Sequence, residues 1–418
     1  MPMAAPTDPS TAPADPAKNA EPSAEPGAEP SEQPTEERTG ERTGELSVTA
    51  VGDPASLDAA EWNALLARQP SPTPFLRHEY LLALHASGSA VPDTGWMPRF
   101  ITVHRGSALV GATVAYLKDH SYGEYVFDWA WADAYQRHGL AYYPKLLAAV
   151  PFTPVPGSRL LADDEATRRL LLRALRSLAL QDELSSAHLL FMDDADQAAA
   201  TAEGWMLRSG VQFHWENRES APYAHFPEFL ASLQRDKRKK IQQERRKVVE
   251  AGVSFQVYEG TQIDEDLWSF FYRCYTRTYR EHHSTPYLKR EFFRQMAQTM
   301  PQHWVLFVAE QGGERIAASL LALDRERGTA WGRYWGALEP IACLHFEACY
   351  YQPLQWCIAQ GLRRFEGGAQ GEHKMARGLL PVATASAHWL AQPQFAQAVA
   401  DFLRREGDAV AGYMEELE

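Results

Sequence analysis

Two stretches in the C-terminal third of this 418-residue chain gather groups able to move protons. His345 and Glu347 stand just ahead of the pair Tyr350-Tyr351. A carboxylate or imidazole placed there can accept a proton from a nucleophile, and a tyrosine hydroxyl can return one to a leaving group. Further on, Gly367-Gly368-Ala369-Gln370-Gly371 runs into Glu372, His373, Lys374 and Arg377. Glycines let a backbone bend close to a ligand, and the two cations suit a phosphate or carboxylate. Glu347, His345, Tyr350, Tyr351 and His373 are therefore candidate catalytic residues. Glu372, Lys374 and Arg377 are candidates for holding substrate. The plain alternatives are a helix cap at Glu347, packed tyrosines, and a polar turn after the glycines.

The elements around them follow from hydrophobic spacing. Strands are expected at Leu46–Ala50, Arg99–His104, Leu109–Leu117, Tyr125–Trp131, Leu189–Met192, Val253–Tyr258, Trp304–Val308, Ile316–Leu323 and Thr329–Trp335. Helices are expected at Ala59–Leu66, Phe75–Leu84, Leu267–Tyr279, Leu288–Met300, Gln352–Gln360 and Gln394–Arg405. Asp163-Asp164 should cap a long helix from Glu165 to Leu180, and one basic helix should run from near Phe226 to Gly252. Strands mixed with helices point to an α+β fold with a mixed central sheet flanked by helices. The chain also looks repeated. Tyr142-Tyr143-Pro144 leads into Leu146–Val150, much as Tyr350-Tyr351-Gln352-Pro353 leads into Leu354–Ala359. Since proline suits the first helical position, both tyrosine pairs should stand before a helix N-terminus.

Composition bounds the rest. The length suits two to three domains of ~150 residues. The net charge is −13, with ten acids and three bases in residues 1–45. That segment is rich in Pro, Glu, Ala, Ser and Thr and is expected to be a disordered tail. The body is only mildly acidic, which argues against DNA binding over its surface. Four cysteines without a Cys-x-x-Cys pair, and no secretory signal, fit a cytoplasmic protein. No stretch approaches 18 uncharged apolar residues, so no transmembrane segment is expected. His345 and Cys349 lack a second ligand pair, so no metal site is expected.

Several long motifs resemble a family of predicted N-acyltransferases related to the FemAB peptidoglycan bridge-forming enzymes. They are the run from Ser121 to Trp131, Tyr142-Tyr143-Pro144-Lys145-Leu146, Pro151-Phe152-Thr153-Pro154-Val155, the run from His345 to Gln352, and the run from Phe365 to Lys374. The resemblance covers about residues 46 to 405. It implies two tandem domains of the GNAT acetyltransferase fold, here 46–220 and 221–418 after the tail of 1–45. It also implies acyl or aminoacyl transfer onto a small-molecule or peptide amine by direct attack. In that chemistry Glu347 or His345 would take the amine proton. The matching motifs add Asp128, Tyr142, Tyr143 and Lys145 as candidates for holding substrate.

The donor is expected to be acyl-CoA, used as a substrate without a metal. The GNAT pyrophosphate loop, Gln/Arg-x-x-Gly-x-Gly/Ala between a strand and a helix, fits Gln136-Arg137-His138-Gly139-Leu140-Ala141. Gln136, Gly139 and Ala141 are thus candidates for donor binding. One rival is a FemAB-type enzyme using aminoacyl-tRNA. Residues 235–247 favour it, with eight Lys or Arg against two acids, a run able to meet the phosphates of tRNA or another ligand. The other rival is a non-catalytic binding module with a degenerate GNAT fold. Deletion of residues 1–45 should leave the melting temperature and any activity unchanged; a drop of several degrees would show that the segment packs on the body.

Overall fold

The structure, a computed structural model, describes residues 45–368 and 371–417, except the side chain of Glu372. The proposed tail therefore lies outside the described residues, apart from Glu45. The strands are β1 (Leu46–Val51), β2 (Trp96–Pro98), β3 (Phe100–Arg105), β4 (Ala108–Thr113), β5 (Tyr116–Lys118), β6 (Lys145–Ala148), β7 (Leu161–Ala162), β8 (Ser186–Met192), β9 (Met206–Glu216), β10 (Val253–Glu259), β11 (Trp304–Gln311), β12 (Glu314–Asp324), β13 (Thr329–Ala337), β14 (Arg364–Glu366) and β15 (Leu380–Leu390). The helices are α1 (Ala59–Ala67), α2 (His78–Ala86), α3 (Trp129–Arg137), α4 (Glu165–Gln181), α5 (Asp194–Ala202), α6 (Phe226–Ser232), α7 (Arg235–Glu250), α8 (Glu265–Glu281) and α9 (Arg290–Thr299). A tenth, α10, runs through Leu344–Phe346, a π-helical turn at Glu347–Tyr351, and Gln352–Ala359; α11 is Pro393–Leu417.

Local chemistry explains the elements that match expectation. The Asp164 carboxylate accepts from the Thr167 amide at 2.7 Å and starts α4, whose Leu171, Leu172 and Leu175 are buried. The β3–β4 hairpin turns at Gly106, which takes a positive φ of 63°.

Four expectations fail for identifiable reasons. Tyr125–Trp131 is a loop running into α3, because Trp131 and Tyr135 lie one helical turn apart and bury together against Leu390, Val399 and Leu403. Tyr142-Tyr143-Pro144 leads into β6, a strand buried at all four positions, rather than into a helix. Tyr350 and Tyr351 lie inside α10 rather than before it. There Gln352 donates its amide to the Glu347 carbonyl, and the π turn comes just ahead of Pro353, which has no N–H to give. The basic segment is two helices, since the chain extends at Leu233-Gln234.

A four-stranded sheet has the order β1-β3-β4-β7, and an eleven-stranded sheet has the order β10-β11-β12-β13-β14-β9-β15-β8-β6-β5-β2. Each half of the chain contributes one parallel pair to the large sheet, β6 with β8 and β13 with β14. The pairs are joined by an exchange. β9, ending the first half, lies beside β14 of the second, while β15 of the second lies beside β8 of the first. β9 and β15 pair antiparallel between them. The expected boundary near residue 220 falls between β9 and α6, yet all described residues belong to one compact unit. Helices α8 and α9 cover one face of the second half through Phe271 and Phe292, and α1 and α2 of the first half join the same core through Leu65 and Tyr80. Helices α6, α7 and α10 cover the other through Phe229, Ile241 and Leu354. Among the described residues no helix is long and apolar enough to cross a membrane.

Gly336 sets the distance between α8 and β13, because any Cβ there would run into the Cys274 carbonyl of α8. Gly336→Ala should therefore lower stability by about 3 kcal/mol, read as a shift in urea midpoint with an unchanged slope. Wild-type stability would mean that α8 can move away at no cost.

Candidate active site

The second half's parallel pair is short. β13 and β14 pair only through Thr329–Trp331 and Arg364–Glu366. Beyond that point the strands part, so the backbone groups on their facing edges have no partner in each other. Small residues line the parting. Gly332 stands on one side and Gly367-Gly368 on the other, and Gly368 has φ 79° with the Gly332 carbonyl 3.5 Å from where its Cβ would lie. A bulge at Arg333 shifts the register with β12 between Leu320 and Leu321. Arg333 and Tyr334 thereby lie close enough for the Arg333 guanidinium to donate to the Tyr334 hydroxyl at 3.0 Å, and it also donates to the Phe152 carbonyl at 2.9 Å. The fork opens into a cleft of about 430 Å³. Tyr125 and Phe152 of the first half face Tyr275, Tyr279 and Tyr334 of the second across it.

Lys374 stands behind the glycines. Its ammonium donates to the Gly368 carbonyl at 2.6 Å, and its side chain is 2 % exposed. Burial pulls its pKa down to about 8. It carries a proton at neutral pH and yields it readily, the property a general acid needs. Arg377, on the same turn, donates to both oxygens of Glu244 on α7 at 3.0 Å. Its guanidinium lies 3.5 Å over the Phe346 ring. Tyr351 donates to the same Glu244 carboxylate.

The other catalytic candidates fall near Lys374 but are committed elsewhere. Glu347 is 4 % exposed, and its carboxylate accepts from Arg245 of α7 at 3.1 Å and from Gln352 at 2.7 Å. It clamps α7 to α10 rather than facing the cleft. Tyr350 shares a 3.1 Å hydrogen bond with His373 Nε2. The His345 ring packs against Trp335 and Tyr350; burial first, then His373, Arg377 and Lys374, pull its pKa down to about 4.

The first-half candidates do converge, under cover. Lys145, fully buried, donates to Asp128 at 2.5 Å, Glu124 at 2.7 Å and Ser121 at 2.8 Å. Tyr142 donates to Asp128 at 2.6 Å, and Tyr143 meets Ser121 at 2.8 Å. Burial opposes the charge on Lys145, but the two carboxylates outweigh it and hold its pKa above the ordinary value. Burial also pushes Glu124 up to about 7. Beyond Tyr142, His188 of β8 and His388 of β15 share a 2.8 Å hydrogen bond across the exchanged strands. Gln136, Gly139 and Ala141 are exposed, and the loop reading loses its premise there. Gln136 lies in the last turn of α3, and the segment feeds strand β6 rather than a helix N-terminus, so it is a helix C-terminus closed by Gly139 at φ 71°.

A profile of FemAB-like proteins, described by peptidoglycan biosynthesis and recognition, matches residues 53–418. The chain belongs to the FemAB-like family. Membership makes it an acyl-type transferase with the fold the resemblance implied, tandem GNAT-like halves in an α+β chain. A search of curated proteins gives no match. Among solved structures, FemX is similar at 10% identity and TM-score 0.51, over 82% of this chain and 98% of its own. L-PGS from Bacillus licheniformis is similar at 11% and 0.50, over 83% and 97%. The C-terminal domain of a protein assigned as a lysylphosphatidylglycerol synthetase, from Agrobacterium fabrum, is similar at 11% and 0.50, over 84% and 96%. At such identities the likeness is one of fold.

In this FemAB-like protein, sequence reasoning missed Arg333, Tyr334, Tyr275 and Tyr279 as cleft residues. They carry no local motif, and only the bulge and the packing of α8 on β13 bring them together. Glu124 and Ser121 were within reach, since both belong to the motif that contains Asp128. Lys145→Met should leave Glu124 and Asp128 buried without their cation and destabilise the fold by about 3–5 kcal/mol, measured by urea unfolding. A fully stable variant with weakened substrate binding would instead make Lys145 a substrate ligand.

Proposed function

We propose that the protein transfers an aminoacyl group from a tRNA ester to an amine acceptor, with the reacting carbonyl held in the β13–β14 fork. The observation that carries this is the parted strand pair with Lys374 behind it. An amine attacking the ester carbon forms a C–N bond, and the C–O bond to the ribose breaks. Lys374 supplies a proton to the departing oxygen and regains one from the attacking nitrogen, and the parted backbone edges face the carbonyl oxygen as its charge grows.

The choice of donor rests on where the cations lie. The loop from β13 to α10, residues 338–343, has no glycine, contains Glu339, and lacks an N–H at Pro340. It makes a poor cradle for a pyrophosphate. Helix α7 exposes Arg235, Lys239, Lys240, Arg246 and Lys247. Arg377–Glu244 ties α7 to the Lys374 turn, and Arg245–Glu347 ties it to α10. Spaced cations on one rigid helix suit a polynucleotide backbone better than a single pyrophosphate. Coenzyme A thioesters, the donor expected from the Gln136 pattern, lose that pattern's support.

Single-turnover assays with radiolabelled aminoacyl-tRNA and with acyl-CoA test this directly. Transfer from aminoacyl-tRNA is expected, weakened at low salt when Lys239, Lys240, Arg246 and Lys247 become Gln; turnover with acyl-CoA alone would overturn the donor assignment. Lys374→Met should lower the rate by roughly 10²–10⁴-fold. Because the protonated lysine is the donor, the wild-type rate should fall as pH rises through about 8. The variant should lack that limb, and an unchanged profile would remove Lys374 from the chemistry.

A further inference from the structure

The cleft at the fork holds a charge that no anion around it answers. Among the described residues that line it, Arg333 is the one guanidinium or ammonium, and none is an acid. Arg333 is half-buried. Its hydrogen bonds all leave from Nη2 and end on neutral oxygens: the Phe152 carbonyl at 2.9 Å, the Thr153 hydroxyl at 3.2 Å and the Tyr334 hydroxyl at 3.0 Å. The guanidinium lies 4.9 Å from the centre of the Phe75 ring and 5.0 Å from that of Tyr334, which fixes its plane. Nε is enclosed without a partner and is out of a ligand's reach. Nη1 also has no hydrogen-bond partner among the described residues, but it is not enclosed, and it is the donor left for the cleft.

The surroundings keep this charge and do not neutralise it. Burial opposes it, but Tyr334, Tyr80 and Tyr125 outweigh burial and hold the Arg333 pKa above the ordinary value. The carboxyl that Arg333 pulls on, Glu366 at the last paired position of β14, is pushed by burial up to about 8 and is uncharged at pH 7. Burial also keeps the Tyr125 and Tyr279 hydroxyls protonated far beyond neutral pH, so both present donors at the cleft. A guanidinium drawn out of water without an anion is costly. A cleft that offers a cation and hydroxyl donors, and no acid, suits a ligand that brings the anion.

We propose that the cleft selects an acyl group ending in a carboxylate, of the aspartyl or glutamyl type, and that Arg333 is the residue that sets this choice. The proposal rests on the aminoacyl-transfer reading above and names the group transferred. Gly332 of the fork and Arg333 are consecutive, so the reacting carbonyl and the guanidinium share one wall of the cleft. An acidic side chain carries its carboxylate a few carbons from that carbonyl, and the Phe152 and Tyr334 rings pack against the carbons between. A glutaminyl group brings an acceptor but no anion. An apolar group leaves the cation with neither, and a lysyl group sets two cations together.

Calorimetry of the full-length protein with 3′-aminoacylamino-3′-deoxyadenosines, which carry the acyl group on a stable amide, reads this choice at pH 7 without any transfer. We expect the glutamyl or the aspartyl compound to bind at least about tenfold more tightly than the glutaminyl and leucyl compounds, and the lysyl compound to bind most weakly. Arg333→Met should lose that preference while binding the glutaminyl compound within about twofold of wild type, a sign that its cleft is intact. Arg333→Lys, which keeps the charge, should keep part of the preference and serves where Arg333→Met does not fold. Equal binding of the glutamyl and glutaminyl compounds, tightest binding of the leucyl compound, an unchanged preference in Arg333→Met, or no binding of any compound at millimolar concentration would each overturn the proposal. So would a raised acceptor KM with an unchanged donor preference in Arg333→Met, which would assign the anion to the acceptor. A glutamyl preference in a protein that transfers nothing from tRNA would support the Arg333 site and remove the transfer reading. Transfer from leucyl- or lysyl-tRNA ahead of glutamyl- and aspartyl-tRNA would keep that reading and remove the acidic acyl group.

Discussion

Everything at the candidate site depends on two parallel strands that pair for three residues and then separate. The separation is imposed from both sides. β14 is held on its far edge by β9, an element of the first half, so it cannot follow β13. β13 is bent away by the bulge at Arg333 and drawn against α8, which Gly336 admits to backbone contact. The exchange of β9 and β15 between halves is thus more than a way of extending the sheet. It places a first-half strand where it fixes one wall of a second-half fork, and it brings Tyr125 and Phe152 to the cleft.

The two halves use the same strand arrangement to different ends. In the first, β6 and β8 stay paired beneath a buried network in which Lys145 pairs with one oxygen each of Glu124 and Asp128. A cation buried between two carboxylates fixes geometry, and it persists because removing any member leaves an uncompensated charge. In the second, the corresponding pair opens, and its lysine faces a backbone carbonyl at the fork. Burial is what lowers the Lys374 pKa toward neutrality, whereas at Lys145 the two carboxylates outweigh burial and drive it the other way. On the proposed reading, the first half is scaffold and the second holds the groups suited to proton transfer.

Much of this was legible in the sequence, and the losses have physical causes. Period-two and period-3.6 patterns located α4, α8 and the β11–β13 meander, because one face of each is buried and the pattern records it. The aromatic run Tyr125–Trp131 misled, because aromatics favour strands on average while Trp131 and Tyr135 here share a helix face. Glu347 looked like a base because nearby tyrosines and a proline suggested a helix start. Its clamp to Arg245 joins residues 102 apart, which no local spacing can display. Lys374 was found as a cation after glycines, but its burial, and so its chemistry, depends on how the turn folds under Gly367-Gly368.

The central claim is that the parted edges of β13 and β14 receive the donor's reacting end. Amide hydrogen exchange at Gly332–Trp335 and at Gly368, with and without an aminoacyl-tRNA analogue whose ester is replaced by a stable amide, tests it most directly; the Gly367 amide already donates to the Phe213 carbonyl of β9. The account predicts slowed exchange at both edges together, because the bound carbonyl would occupy backbone groups that the strands do not offer to each other. Protection confined to α7, or to the first half around Lys145, with unchanged exchange at both edges of the fork, would contradict it.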